Sequence, residues 1–155
     1  MTNSLEGQFL DWKYGRGIIK DFIKYLSDDD LDKVFPRKNL NSIRKQCEEL
    51  VQIQSCYVKA LNTKRIQFSY SPLNDTSKVA LLKDMDSLDS ELEAYLNESD
   101  GSGYIDWFGE KWSIYRHFSA MIGHEQMHIG QIVAFCYAIG LRIPDVIKNA
   151  MALSD

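Results

Sequence analysis

The fold is decided by residues 112–141, which read WSIYRHFSAMIGHEQMHIGQIVAFCYAIGL. This stretch has no proline and is rich in helix-forming residues, so it predicts one long α-helix. It also holds all three histidines of the protein, at positions 117, 124 and 128. A four-residue step along a helix rotates the side chain by only roughly 40° and advances it by about 6 Å. His124 and His128 are therefore able to offer nitrogens to a single metal ion.

Two imidazoles do not complete a metal site, because zinc, nickel or iron is held by at least one further protein ligand. The alternative is that His124 and His128 are only a pair of polar helix residues. His117 lies seven residues before His124, about 10 Å away along the helix axis, which is too far to share an ion. We interpret His117 as a residue at the edge of the core or in a pocket wall.

The length of 155 residues suits one domain spanning residues 1–155. Hydrophobic residues make up 45% and charged residues 26% of the chain, which is typical of a globular protein and excludes disorder. The net charge of -4 argues against a nucleic-acid surface, since phosphate binding depends on clustered Lys and Arg. We expect no nucleic-acid partner.

The three cysteines, at positions 47, 56 and 136, are an odd number at unrelated spacings. They indicate neither a disulfide framework nor a C-x-x-C zinc site, and they suit a reducing cytoplasm. The N-terminal residues lack the basic and apolar parts of a standard signal, and no run approaches 18 apolar residues. We therefore expect a cytoplasmic protein that is neither secreted by such a signal nor inserted in a membrane.

Hydrophobic residues recur at three- and four-residue steps in four segments, and each segment predicts an amphipathic helix. The predicted helices span residues 5–26, 39–61, about 75–96 and about 111–139. Gly15 and Gly17 weaken the first helix, and a short turn over residues 31–35 follows it. Gly140 is suited to end the fourth helix, with Pro144 beyond it. Four such helices around one core predict an all-α four-helix bundle.

Two short segments have residue patterns typical of β-strands. Residues 66–70 alternate between apolar and polar side chains, and residues 104–109 predict a second short strand lying beside them. The connection between the second and third helices is long enough to cross the bundle, so a simple up-down-up-down order is not required.

The third metal ligand has to come from another helix, because metal sites in bundles form from side chains that project inward from facing helices. The acidic pair Glu48-Glu49, midway along the second predicted helix, is the best candidate source. The alternative is that both carboxylates are solvated, as most charged helix residues are.

Two further patterns accompany the histidine pair. Gly130-Gln131-Ile132 follows it, with Gly140 and Pro144 closing the segment. The second helix carries the sequence NSIRKQCEEL at residues 41–50, in a pattern that ends near Tyr57. In these features the sequence resembles the DinB and YfiT-like metalloenzyme family over nearly the whole chain. The resemblance implies a four-helix bundle with a crossover between helices 2 and 3. It also implies a divalent metal held by two histidines of the fourth helix and one of the second.

At the position of that second-helix histidine this sequence has Glu49. A carboxylate is also a ligand for zinc, iron or nickel, so the resemblance implies a metal site of Glu49, His124 and His128 with positions open for water. The alternative is a site that has lost its metal. Glu48 points about 100° away on the same helix.

The resemblance also implies a function, namely a divalent-metal-dependent enzyme that is a thiol-dependent transferase or a hydrolase. Its substrate would be a small molecule such as a low-molecular-weight thiol. A homodimer is implied as well, and the apolar first helix with an exposed-looking Trp12 supports it. The alternative from another class is a non-catalytic bundle, either ligand-binding or stress-associated, with a vestigial metal site.

Residues 124–128 also match the H-E-x-x-H pattern of zinc proteases, in which the glutamate is the general base. The extended form of that pattern requires Gly and His where this chain has Gln131 and Ala134. No glutamate follows His128. Asp145 remains possible as a downstream carboxylate ligand, but it has no motif around it. We therefore favour Glu125 as an inter-helix hydrogen-bonding residue over a general base.

Overall fold

The computed structural model describes residues 3–37 and 39–154, so positions 1, 2, 38 and 155 of the predicted domain lie outside it. Within the described residues the chain forms α1 (Asn3–Tyr25), α2 (Asp28–Asp32), α3 (Ile43–Thr63), α4 (Lys78–Glu98), β1 (Tyr104–Trp107), β2 (Glu110–Ser113), α5 (Ile114–Ala138) and α6 (Asp145–Met151). None of the described helices combines the length and the apolar composition needed to cross a membrane.

The four long helices α1, α3, α4 and α5 form a bundle in which α1 and α3 each pack against both α4 and α5. One apolar cluster contains the C-terminal parts of α1 and α5 and the N-terminal parts of α3 and α4. The second cluster contains the opposite ends of the same helices. Because α3 and α4 therefore run parallel, the connection over residues 64–77 crosses the length of the bundle. The predicted all-α bundle with this crossover is confirmed.

A layer of polar side chains separates the two apolar clusters. The guanidinium of Arg16 on α1 lies 3.3 Å from a carboxylate oxygen of Asp89 on α4 and 3.2 Å from one of Glu125 on α5. It also donates a hydrogen bond to Gln54 on α3, whose amide donates to Asp89 at 2.9 Å. Arg16, Gln54 and Glu125 are each 2% exposed. We call these four side chains the Arg16 layer.

The ends of the bundle helices carry the expected local signals. Three N-cap serines accept hydrogen bonds from backbone amides of the first turn of α3, α4 and α5, namely Ser42, Ser77 and Ser113. Gly140 closes α5 as the sequence predicts, with a φ of 66°. The amide of Leu141 then donates to the carbonyl of Cys136 at 2.8 Å, which completes a Schellman motif.

The fourth bundle helix begins later than predicted, because residues 110–113 form a strand. β1 and β2 pair as an antiparallel hairpin with Trp107 opposite Glu110. The connecting residues, Phe108 and Gly109, have φ values of 51° and 95°, as the two central positions of a type I′ turn require. This turn reverses the chain, so α5 starts only at Ile114.

Residues 66–70 do not form a strand, and their predicted pairing with residues 104–109 is wrong beyond one contact. That contact is a parallel bridge between Arg65 and Asp106, in which the amide of Ile66 donates to the carbonyl of Asp106 at 2.9 Å. β1 pairs instead with β2, because the tight turn joins these two strands directly. The helix α6 was not predicted from the sequence.

Gly15 does not interrupt α1, which is continuous from Asn3 to Tyr25. A Cβ atom at Gly15 would lie 2.6 Å from the side-chain nitrogen of Gln126 on α5. That nitrogen is the end of a flexible, exposed side chain, so the packing of α1 on α5 does not by itself require glycine at this position.

Trp12 is buried, contrary to the predicted exposure. Its side chain is 1% exposed, its ring packs against Phe118 with centroids 6.5 Å apart, and the guanidinium of Arg16 lies over it. The expectation that Trp12 is exposed and available to contact a second copy of the chain is therefore wrong. The homodimer stays a prediction that depends on the family resemblance alone.

We expect Trp12→Ala to lower the free energy of unfolding by about 3–5 kcal/mol, because it removes a buried aromatic ring and leaves a cavity. Leu10 lies on the same helix and is 62% exposed, so Leu10→Ala is the matched control. It should change the free energy by less than about 0.5 kcal/mol. Urea denaturation followed by circular dichroism measures both, and equally small effects would contradict the burial of Trp12.

Candidate metal centre

Glu49 of α3 and the two histidines of α5, His124 and His128, meet where these helices pack. The Nε2 atom of His128 lies 3.3 Å from Nε2 of His124 and 3.8 Å from a carboxylate oxygen of Glu49. One potential ligand atom from each residue lies within 4.8 Å of the other two. The structure therefore brings together the three residues that the sequence singled out. We call this group the His-Glu cluster.

The spacing of the two imidazole nitrogens suits one ion. Two nitrogens bound to the same tetrahedral zinc at about 2.05 Å are about 3.3 Å apart, which is the separation of the two Nε2 atoms. The Glu49 side chain is 44% exposed, so packing does not lock its carboxylate in place. Two imidazoles and a carboxylate form a donor set that zinc, nickel and iron all accept.

Gln46 determines which nitrogen of His128 carries the proton. The side-chain amide of Gln46 donates to the carbonyl of Leu40 at 2.8 Å, so its oxygen faces Nδ1 of His128, 2.5 Å away. Because that oxygen only accepts, Nδ1 donates, and the lone pair of Nε2 points toward His124 and Glu49. Gln46 is 2% exposed. The sequence analysis missed it, although it lies three residues before Glu49 on the same helical face.

Burial keeps both histidines in the neutral form that binds metals. Desolvation lowers the pKa of His128 to about 4, with the nearby His124 contributing, and desolvation also lowers the pKa of His124. At neutral pH an incoming ion therefore does not compete with a proton on either ring. Burial raises the pKa of Glu49, an effect that a cation beside the carboxylate would oppose.

An aromatic cluster borders the His-Glu cluster on the side of His124. The ring of Tyr57 lies 6.3 Å from that of His124, and 5.8 Å from the rings of both Phe68 and Trp107. Phe68 is 44% exposed, so this aromatic wall extends from the histidines to solvent. The wall is apolar and limits the access of water from that side.

His117 has a structural role in the core. Its Nδ1 accepts a hydrogen bond from the indole of Trp107 at 2.9 Å, and its Nε2 donates to the carbonyl of Tyr57 at 3.0 Å. These two partners require the neutral ring. Burial lowers the pKa of His117 to about 4, and the hydrogen bond to the Tyr57 backbone opposes that shift. His117 is therefore a satisfied core residue that connects the hairpin to α3.

Glu48 lies away from the His-Glu cluster, as its position on the helix predicts. It is not solvated, however, because it is 2% exposed and accepts a hydrogen bond from Lys45 at 2.5 Å. The burial of Glu48 reflects the packing around α3, which no pattern within the second helix shows.

Glu125 faces the Arg16 layer and not the histidines. Its carboxylate lies 3.2 Å from Arg16 in an ion pair that lacks the alignment of a hydrogen bond. Burial raises the pKa of Glu125 to about 7, while the charge of Arg16 lowers it. Glu125 is therefore an inter-helix residue, and the zinc-protease interpretation has no general base beside the histidines.

Comparison with known proteins agrees with this architecture. Residues 12–132 match the model of the DinB superfamily, and the chain belongs to that superfamily. Its structure is similar to the crystal structure of a DinB-like protein from Bacillus cereus, with a TM-score of 0.70 and 18% sequence identity. The match covers 90% of this chain and 95% of that chain, and at this identity it shows the fold alone. Curated proteins give no match.

We expect Glu125→Ala to destabilise the protein by about 3–5 kcal/mol, because it leaves the buried charge of Arg16 without one of its partners. The zinc affinity of the folded protein should be unchanged, since this carboxylate faces away from the histidines. Urea denaturation and isothermal titration calorimetry measure the two quantities.

Glu49→Ala is the matched control and should show the reverse pattern. Its half-exposed side chain contributes less than about 0.5 kcal/mol to stability, whereas its loss should weaken zinc binding. If Glu125→Ala reduced zinc affinity as much as Glu49→Ala does, the separation of the two carboxylates would be wrong.

Proposed function

We propose that this protein is a divalent-metal-dependent enzyme whose ion is held by Glu49, His124 and His128. The observation that carries the proposal is the 3.3 Å separation of the two imidazole Nε2 atoms, with the His128 lone pair directed into the gap. Membership of the DinB superfamily supports it, because that family is associated with metals.

The ligand set leaves coordination positions open. Three protein ligands with a further position for water or substrate are typical of catalytic sites, whereas structural zinc sites use four. The carboxylate of Glu49 is partly exposed, which supports access for a small molecule from solvent. Zinc, nickel and iron are the proposed metals.

A bound divalent ion of this kind acts as a Lewis acid and lowers the pKa of a coordinated water or thiol toward neutrality. The two proposed reaction classes share this requirement, because hydrolysis uses hydroxide and thiol-dependent transfer uses a thiolate. We therefore propose a thiol-dependent transferase, with a low-molecular-weight thiol as the small-molecule substrate, or a hydrolase.

The residues around the cluster have separate tasks in this scheme. Gln46 holds His128 in the tautomer whose Nε2 accepts, and Glu49 supplies negative charge opposite a cation. Tyr57 and Phe68 keep water from one side, which strengthens electrostatic interactions inside the site. The proposed location is the reducing cytoplasm, where thiols stay free.

Titration of zinc and nickel into variants at position 49 tests the ligand set. Glu49→Gln keeps the shape and removes the charge, so we expect affinity to fall by about tenfold or more. Glu49→His should restore or strengthen binding, because it creates a site of three imidazoles. Isothermal titration calorimetry gives both affinities and stoichiometries.

Glu91→Gln, an exposed glutamate on α4, is the control for loss of one negative charge and should bind like the parent. Glu48→Gln is unsuitable, since Glu48 is buried against Lys45. Equal affinities of the parent and Glu49→Gln would reject Glu49 as a ligand. A parent protein that takes up no stoichiometric metal would favour the non-catalytic, ligand-binding or stress-associated bundle.

Gln46→Leu tests the orientation of His128. We expect it to lower zinc affinity by about 10- to 100-fold, because groups that orient a metal-binding histidine typically have effects of this size. Gln46→Glu keeps an oxygen that accepts from Nδ1 and should retain most of the affinity. If both variants bound zinc like the parent, Gln46 would have no part in the site.

A further inference from the structure

A cavity of 510 Å³ lies between the crossover segment, residues 64–77, and the helices α3 and α4. The crossover segment divides this cavity from the His-Glu cluster, because its side chains alternate. Ile66 and Phe68 lie on the apolar and aromatic side. Gln67, Ser69 and Ser71 line the cavity. The cavity is therefore a second compartment, whose lining includes none of the three proposed metal ligands.

The two ends of the cavity differ in charge. Lys59, near the C-terminal end of α3, lines one end and forms no ion pair with any residue that the structure describes. Arg65 lies at the same end, and its charge is partly neutralised by Asp106 at 3.2 Å. Asp84, near the N-terminal end of α4, lines the cavity without an ion pair among the described residues. Because α3 and α4 run parallel, Lys59 and Asp84 lie toward opposite ends.

The aliphatic side chains of the lining lie toward Asp84. They are Leu73 of the crossover segment and Leu88 of α4, together with Val51 of α3. Gln52, which is 6% exposed, also belongs to the wall, and its amide nitrogen donates to the carbonyl of Ser71 at 2.7 Å. Its amide oxygen is buried without a hydrogen-bond partner.

We propose that this cavity binds a small organic molecule with one anionic group and an apolar body. The anionic group lies toward Lys59, and the body packs against Leu73 and Leu88. Asp84 repels a second anionic group at the far end, so the ligand is a monoanion. A volume of 510 Å³ is typical of sites for small organic molecules. The proposal is independent of the metal site.

The probe for the test is anilinonaphthalenesulfonate, which has one sulfonate, an aromatic body and one N–H donor. Fluorescence titration of the full chain should show saturable binding. Lys59→Met keeps the apolar stem and removes the charge, and we expect the probe to bind about threefold to tenfold more weakly. Asp84→Asn should have the opposite effect and tighten binding by about twofold or more. Lys83→Met is the matched control, because Lys83 is exposed on α4 outside the cavity, and it should bind like the parent.

Two further measurements place the probe. Leu88→Trp fills the apolar end and should abolish binding, with circular dichroism confirming the fold. Cys56 lines the cavity and is 6% exposed, whereas Cys47 and Cys136 are fully buried, so the bound probe should slow alkylation of Cys56 by iodoacetamide.

Three results would overturn the proposal. The first is the absence of saturable binding to the parent. The second is an equal affinity of Lys59→Met and the parent for the probe. Lys59→Met changes no core residue, so this measurement remains decisive if Leu88→Trp does not fold. The third is loss of the probe on addition of zinc or in His128→Ala, because the probe would then lie at the His-Glu cluster.

Discussion

The guanidinium of Arg16 joins all four long helices at one level of the bundle, and the orientation of the candidate site depends on it. Its partners are Gln54 on α3, Asp89 on α4 and Glu125 on α5. Because Glu125 faces this charge, the rotation of α5 about its own axis is determined. His128 and His124 then lie about 60° and 100° to one side of Glu125, which is the side that faces α3 and Glu49.

The Arg16 layer is better explained by the helix register that it selects than by any contribution to the free energy of unfolding. Two contacts of Arg16 lie at ion-pair distance without hydrogen-bond alignment, and burial raises the pKa of Glu125. Replacing a buried ion pair by apolar residues is often neutral or stabilising by about 1–4 kcal/mol. Apolar clusters above and below the layer supply non-directional attraction, which does not by itself select one register of the helices. The layer requires four particular side chains to meet, and only one register brings them together.

The parts of the fold that local patterns determine were predictable from the sequence. The four long helices follow from apolar periodicity, and Gly140 marks the end of α5 because a left-handed residue is needed there. The errors concern contacts between distant segments. The alternation at residues 66–70 suits a strand. Its predicted partner, β1, pairs instead with β2, because the turn at Phe108 and Gly109 joins these two strands directly. The predicted exposure of Trp12 was wrong because its burial depends on Phe118 of another helix.

The candidate site shows the same division between local and distant information. The histidine pair follows from a four-residue spacing on one helix, whereas Glu49 required the family resemblance because it lies on another helix. Glu125 was predicted as an inter-helix residue, whereas Gln46 and the other three members of the Arg16 layer were missed. A polar residue on the apolar face of each bundle helix was the available signal, as with Arg16 between Trp12 and Ile19, yet no single helix shows that four such residues meet.

The two compartments of this protein are a consequence of the parallel arrangement of α3 and α4. Antiparallel neighbours in a bundle need only a short loop, whereas parallel neighbours need a connection that runs the length of the bundle. Here residues 64–77 follow that path over α3 and α4, and Gln52 ties them to α3 through the carbonyl of Ser71. Alternate residues of this segment then serve different sides, with Phe68 in the aromatic wall beside His124 and Ser69 in the cavity. A substitution at an even-numbered position of this segment therefore changes the side of the metal centre, and one at an odd-numbered position changes the cavity. A substitution at Gln52 removes the hydrogen bond that holds the segment on α3, so it changes both compartments.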